Sequence, residues 1–163
     1  MKMTRTAALL ASALLLALAS STVMANDSKT IRVGFSKCQI WPPGDRPAFA
    51  PPEAVFVNVG SVSGGITGSL NVFGQPGSFS GNLPAGVFFL DAKYVIGAGA
   101  KSLTAHVGGR FDTNVGEAAL NGFVSDGWLL GAKVFDEFHA TTPGCVAGTL
   151  TITPWRLPDD DDD

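Results

Sequence analysis

The chain has 163 residues, of which 20 are glycine and 10 are proline, and its formal net charge is −3. Lys2 and Arg5 lie at the very start and five of the 14 acidic residues form the terminal run 159–163, so the body between them carries nine residues of each sign. A neutral body has no basic patch to attract phosphates, which argues against nucleic acid and anionic membrane surfaces as partners.

Residues 1–25 have the three zones of a secretory signal peptide. Lys2 and Arg5 supply positive charge, residues 7–19 form an uncharged run rich in Leu and Ala, and small residues precede an expected cleavage after Ala25. The apolar run is shorter than the ~18 residues that a membrane span requires, so no transmembrane segment is expected in the mature chain. We expect a secreted or periplasmic protein with a single domain over residues 26–158 and a disordered acidic tail at 159–163.

The first part of this domain alternates apolar and polar residues with the two-residue period of β-strands. Ile31, Val33 and Phe35 form the first such set, and further sets at 55–59 and 66–72 predict two more strands facing the same core. A Pro-rich stretch, 41–52, separates the first strand from the second and predicts a loop.

From about residue 86 to 153 the pattern predicts a meander of five antiparallel strands. Their apolar sets lie at 88–96, 103–111, 118–124, 128–138 and 146–152. Asp126-Gly127 favours a type I′ turn between the third and fourth of them. Eight strands in all predict an all-β fold, a single antiparallel β-barrel, with a two-sheet β-sandwich as the alternative. The pattern resembles lipocalin-like and allene oxide cyclase-like barrels in architecture only, since the lipocalin Gly-x-Trp signature is absent; it implies no function.

Cys38 lies just after the first predicted strand and Cys145 begins the last one. In an exported protein two cysteines without neighbouring metal ligands are expected to form a disulfide bond, here joining the two ends of the sheet.

Asp136 is the residue at which the apolar pattern and the side chain disagree. The alternation that places Val134 and Phe138 inside also places Asp136 inside, where an unpaired carboxylate costs several kcal/mol. Three explanations are open: a bulge that turns Asp136 outward, a basic partner or several N–H donors, or a polar pocket in which it binds a ligand. We expect a structural role for it.

Other candidates for chemistry are few. Glu137 and His139 share one face of a predicted strand, which we interpret as a solvated face, and His106 is the other histidine. No nucleophile elbow, phosphate-binding loop or paired metal-binding cysteines occur, so neither a cofactor nor a metal is expected.

These observations predict a non-enzymatic secreted barrel that binds a small apolar molecule. The alternatives are a structural or surface-interaction protein, with an envelope protein as partner, and a barrel enzyme, an isomerase or hydrolase that uses Asp136. A hollow interior would favour the first, and a barrel filled by its own side chains the second.

Overall fold

The computed structural model describes residues 29–78 and 83–155. The predicted signal peptide and the acidic tail therefore lie outside the described residues. Eight antiparallel strands pair in sequence order and close into one barrel, which confirms the predicted fold and rejects the sandwich. The strands are β1 (Ile31–Trp41), β2 (Val57–Gly64), β3 (Gly68–Gly74), β4 (Val87–Gly97), β5 (Leu103–Asp112), β6 (Glu117–Gly127), β7 (Lys133–Thr142) and β8 (Cys145–Thr153). Within the described ranges, no helix is long and apolar enough to cross a membrane.

The predicted meander from residue 86 to 153 is confirmed as β4 to β8, interrupted only by a three-residue 3₁₀ turn at Gly99–Lys101. Alternation decides which side chains enter the barrel. In β4, for example, Leu90, Ala92, Tyr94 and Ile96 are all at most 8 % exposed and point inward, as their spacing predicts.

The up-and-down order gives the barrel two different ends. The chain ends of the described domain and the β2–β3, β4–β5 and β6–β7 connections lie at one end, which we call the packed end. Its interior is filled by apolar side chains. They include Val33, Ile66, Leu70, Ile96, Leu103, Val124 and Ile152. The β1–β2, β5–β6 and β7–β8 connections and the described parts of the β3–β4 connection lie at the opposite end, which we call the mouth.

The barrel closes where β1 pairs with β8, and the predicted disulfide lies on this seam. Cys38 is directly opposite Cys145 in the register, and the two are bonded. Their Cα atoms are 4.0 Å apart, somewhat closer than the usual ~4.4–6.8 Å, because the residues face each other across adjacent antiparallel strands. The bond covalently joins the first strand to the last.

The connection between β6 and β7 differs from the prediction of a tight turn at Asp126-Gly127. Gly127 has a φ of +80° but ends β6, and the hairpin closes farther along the chain, where the Val124 N–H donates to Ala132 O at 2.8 Å. Residues 128–132 form the connection rather than the start of a strand, and Leu130 is 70 % exposed. Apolar residues at every second position imitate a strand here, while Leu129, at a φ of +64°, turns the backbone.

The Pro-rich loop after β1 packs on the outer face of the barrel, next to the valines of β2. Val57 is fully buried but points away from the barrel axis, into a second apolar cluster on the outer face. That cluster combines Val57 and Phe73 with Ala50 and Ala54 of the loop. The prediction that Val55, Val57 and Val59 face the barrel core is wrong, because the loop covers the outer face and supplies the apolar partner that alternation alone assigns to the interior.

Candidate functional site

The mouth half of the barrel is hollow. A cavity of about 600 Å³ begins among buried side chains of the interior and reaches the surface at the exposed β7–β8 turn, 141–144. Most of its wall is apolar. The apolar residues are Phe56, Val72, Leu90, Ala92, Phe111, Leu120, Phe138, Ala140 and Val146. A space of this size is typical of sites for small organic ligands.

Two polar side chains, Lys37 and Tyr94, lie in the cavity wall where the hollow half meets the packed half. Lys37 projects inward from β1 because it continues the alternation of Val33 and Phe35, and Tyr94 projects inward from β4. The Lys37 Nζ donates a hydrogen bond to the Tyr94 hydroxyl, and that hydroxyl donates to Asp136 Oδ2 at 2.6 Å. Three distant strands thus bring a buried lysine, a phenol and a carboxylate into one chain of hydrogen bonds, which we call the polar trio.

Aromatic rings surround the Lys37 ammonium. Its Nζ lies 4.1 Å from the ring centroid of Tyr94, 4.7 Å from that of Phe138 and 4.9 Å from that of Phe35. The negative faces of such rings attract a cation. Burial nevertheless lowers the pKa of Lys37 to about 8, although the nearby Asp136 carboxylate favours the charged form. A measurable fraction of this lysine is therefore an uncharged amine near neutral pH.

Asp136 is fully buried, as alternation predicts, and the register of β7 around it is regular, so the bulge that would turn it outward is absent. Burial raises the pKa of the Asp136 carboxyl, while the positive charge of Lys37 and the hydrogen bond from Tyr94 oppose that rise. Its Oδ1 has no hydrogen-bond partner among the described residues. Asp136 does not line the cavity, but it accepts a hydrogen bond from Tyr94, which does.

Burial also raises the pKa of the Tyr94 phenol well above its usual range, and the adjacent Asp136 carboxylate adds to the effect. Tyr94 therefore stays protonated and keeps its hydrogen bond to the carboxylate. Neither Lys37 nor Tyr94 was singled out by sequence reasoning. For Lys37 the signal was present, since it occupies the next inward position after Ile31, Val33 and Phe35.

A further polar group lies in the cavity wall on β2. The Asn58 Oδ1 atom is buried and has no hydrogen-bond partner within the described part of the chain. A buried acceptor without a partner costs free energy, and a ligand that donates a hydrogen bond would recover it.

Glu137 and His139 lie elsewhere, exposed on the outer face, where they border a groove of about 740 Å³ together with serines of β1 and β2. His106 is also on the outer face and stacks on Phe123 with ring centroids 6.4 Å apart. In residues 29–78 and 83–155 no group of three or more His, Cys, Asp or Glu side chains could hold a metal ion. Glu137, His139 and His106 therefore lie apart from the polar trio, which is inside the barrel.

No protein-family model matches this chain, and no curated protein or solved structure is significantly similar to it.

Proposed function

We propose that this protein is a non-enzymatic barrel that binds a small apolar molecule in the cavity at its mouth, after export from the cell. The observation that carries the proposal is the cavity of about 600 Å³, whose apolar wall ends in the buried Lys37 and Tyr94. A protein with a purely structural role would gain stability by filling this space with its own side chains.

The two kinds of surface in the cavity have different tasks. Burying apolar ligand area against the wall contributes about 25 cal/mol per Å², which supplies affinity without directional preference. Lys37 and Asn58 supply direction, because one offers N–H donors and the other an acceptor oxygen at fixed places. The fitting ligand is a hydrocarbon body with one oxygen-containing end, held with that end toward the polar trio.

Titration with the neutral dye N-phenyl-1-naphthylamine tests the proposal. Binding should raise its fluorescence with a stoichiometry of one, and decanol should displace it. Ala92→Phe places a ring in the cavity and should weaken dye binding by on the order of tenfold or more. Ala119→Phe makes the same change at an exposed position of β6 and should leave binding unchanged. Equal binding by both variants, or no saturable binding by the wild type, would contradict the proposal.

The hydrogen-bond chain Lys37–Tyr94–Asp136 favours a second candidate, a barrel enzyme of the isomerase or hydrolase class. Because Asp136 lies behind Tyr94, it would act as a positioning residue and the groups touching a substrate would be Lys37 and Tyr94. Turnover of a bound ligand by the wild type, abolished in Tyr94→Phe with binding retained, would replace the first proposal by this one.

A further inference from the structure

We propose that Lys37 captures an apolar aldehyde in the mouth cavity as an imine, so that the barrel holds a carbonyl ligand covalently and reversibly. This inference rests on the proposed ligand-binding function and names the ligand class. The arrangement that points to it is a single buried lysine in the wall of an apolar cavity, with its nitrogen hydrogen-bonded to a phenol that is itself bound to a buried carboxylate.

The position of Lys37 distinguishes it from the other described lysines. It is 3 % exposed and contributes to the cavity wall, whereas Lys29, Lys101 and Lys133 are exposed and Lys93 lies on the outer side of β4. An aldehyde with a hydrocarbon tail that enters the cavity meets the amine of Lys37 and of no other lysine in the described part of the chain. The apolar wall then holds the tail and raises the local concentration of the carbonyl carbon at Nζ.

The charge arrangement favours a neutral carbonyl over a carboxylate. When Lys37 and Asp136 are both ionised their charges cancel, so a carboxylate ligand would leave one uncompensated negative charge in a desolvated site, which is costly. A neutral carbonyl oxygen can accept a hydrogen bond from the Lys37 nitrogen without adding charge. The Asp136 carboxylate is linked to the Lys37 nitrogen through Tyr94 and favours the charged form of that nitrogen. It therefore remains available as the counter-ion of a cation.

The chemical step balances without any further reagent. The lone pair of the neutral Lys37 amine adds to the carbonyl carbon, and a proton moves from nitrogen to oxygen to give a carbinolamine. Loss of the hydroxyl with a proton, as one water molecule, breaks the C–O bond and forms the C=N bond. When protonated, the imine carries the same positive charge that the Lys37 ammonium carried, and the surrounding rings and Asp136 stabilise it in the same way.

The protonation state of Lys37 supports the step. With a pKa of about 8, about a quarter of Lys37 is neutral at about pH 7.5, compared with about one in a thousand for a lysine at the usual 10.5. Amines attack carbonyls only in the neutral form, so at this pH Lys37 should react at least tenfold faster than a lysine with the ordinary pKa.

The test is reductive trapping with decanal and sodium cyanoborohydride, followed by intact mass measurement and peptide mapping of the disulfide-bonded protein. We expect a decyl group on Lys37, mapped separately from any on the chain's α-amine, whose ordinary pKa of ~7.7–8.0 also makes it reactive, at decanal concentrations that leave Lys133 at least tenfold less modified. Excess decanol should slow labelling of Lys37 and leave labelling of Lys133 unchanged. Lys37→Met should lose the adduct and Lys133→Met should retain it; because the wild-type peptide map locates the adduct by itself, the test holds even if Lys37→Met fails to fold.

The outcomes separate the two proposals. If decanol displaces the naphthylamine dye but decanal leaves Lys37 unmodified, or modifies it no faster than Lys133, the imine inference is overturned and the binding function stands. If neither the dye nor decanal occupies the cavity, both are overturned.

Discussion

Replacing Tyr94 by Phe tests whether the polar trio is held together by one hydroxyl group. The substitution preserves the ring that packs against Phe35 and the Lys37 ammonium, and it removes only the oxygen that accepts from Lys37 and donates to Asp136. Asp136 Oδ1 already lacks a partner, so in Tyr94→Phe both carboxylate oxygens would be buried without a hydrogen bond among the described residues.

The expected cost follows from these two contacts. A hydrogen bond to a charged group is worth about 1.5–3 kcal/mol, and the variant loses one at each of two buried charged groups. We therefore expect the free energy of unfolding to fall by about 4 kcal/mol, which is comparable to the ~3–5 kcal/mol typical of breaking a buried charge pair. Urea unfolding with the disulfide intact measures this fall through the midpoint, with an unchanged slope.

A double-mutant cycle supplies the control. In the background of Asp136→Asn the carboxylate charge is absent, so Tyr94→Phe should cost at least about 1 kcal/mol less than in the wild type. A loss below about 1 kcal/mol in the single variant, or costs that simply add in the double variant, would refute the view that the hydroxyl stabilises the buried charges.

Three further results are expected. Because burial lowers the pKa of Lys37 from 10.5 to about 8, the unfolded chain binds more protons than the folded chain between these pH values. The free energy of unfolding should therefore rise by about 1 kcal/mol from about pH 7 to about pH 9. Urea titrations at both pH values measure this rise, and Lys37→Met should lack it. Gly60→Ala would place a Cβ 1.9 Å from a carbonyl oxygen of β1 and should lower the free energy of unfolding by more than about 2 kcal/mol. Gly34→Ala, with its nearest neighbour at 3.7 Å, should change that free energy little, and equal effects of the two substitutions would be evidence against the close approach. Replacing Cys38 and Cys145 together by Ala opens a loop of 107 residues and should reduce the free energy of unfolding by about 5 kcal/mol in the same assay. A loss below about 1 kcal/mol would show that the barrel seam holds without the bond.

The strands and their inward faces were predictable because their signals are local. Alternation with a period of two needs no knowledge of distant residues, and in β4 and β5 it assigned the inner face correctly. The burial of Asp136 followed from the same rule.

The two wrong predictions concern segments where alternating apolar residues are compatible with more than one structure. Val57 is buried on the outer face because a loop covers it. Alternation shows that Val57 and Asn58 point to opposite faces of β2, and it does not show which of the two faces is the barrel interior. Trp128 and Leu130 have strand spacing but belong to a turn, since backbone conformation at Leu129 rather than apolar period decides where the hairpin closes.

The polar trio could not be assembled from the sequence. Lys37, Tyr94 and Asp136 lie 57 and 42 residues apart along the chain, and their contact depends on the stagger of three strands around a closed barrel. Sequence reasoning identified the need for a partner of Asp136 and did not identify Tyr94, because a tyrosine on an apolar face is also an ordinary core residue. The hollow half of the barrel was likewise beyond local patterns, since the same alternation describes a filled and an empty interior.

The opposite placement of chain ends and cavity has a practical consequence for handling the protein. Lys29 and Trp155, the limits of the described domain, both leave from the packed end, where the Trp155 indole N–H donates to Gly131 O at 2.6 Å. A strand of about ten residues spans roughly 30 Å, so Lys29 and Trp155 lie about one strand length away from the mouth. A chip, a bead or a cell surface attached directly at Lys29 or at Trp155 would therefore hold the barrel with its opening toward the surrounding medium.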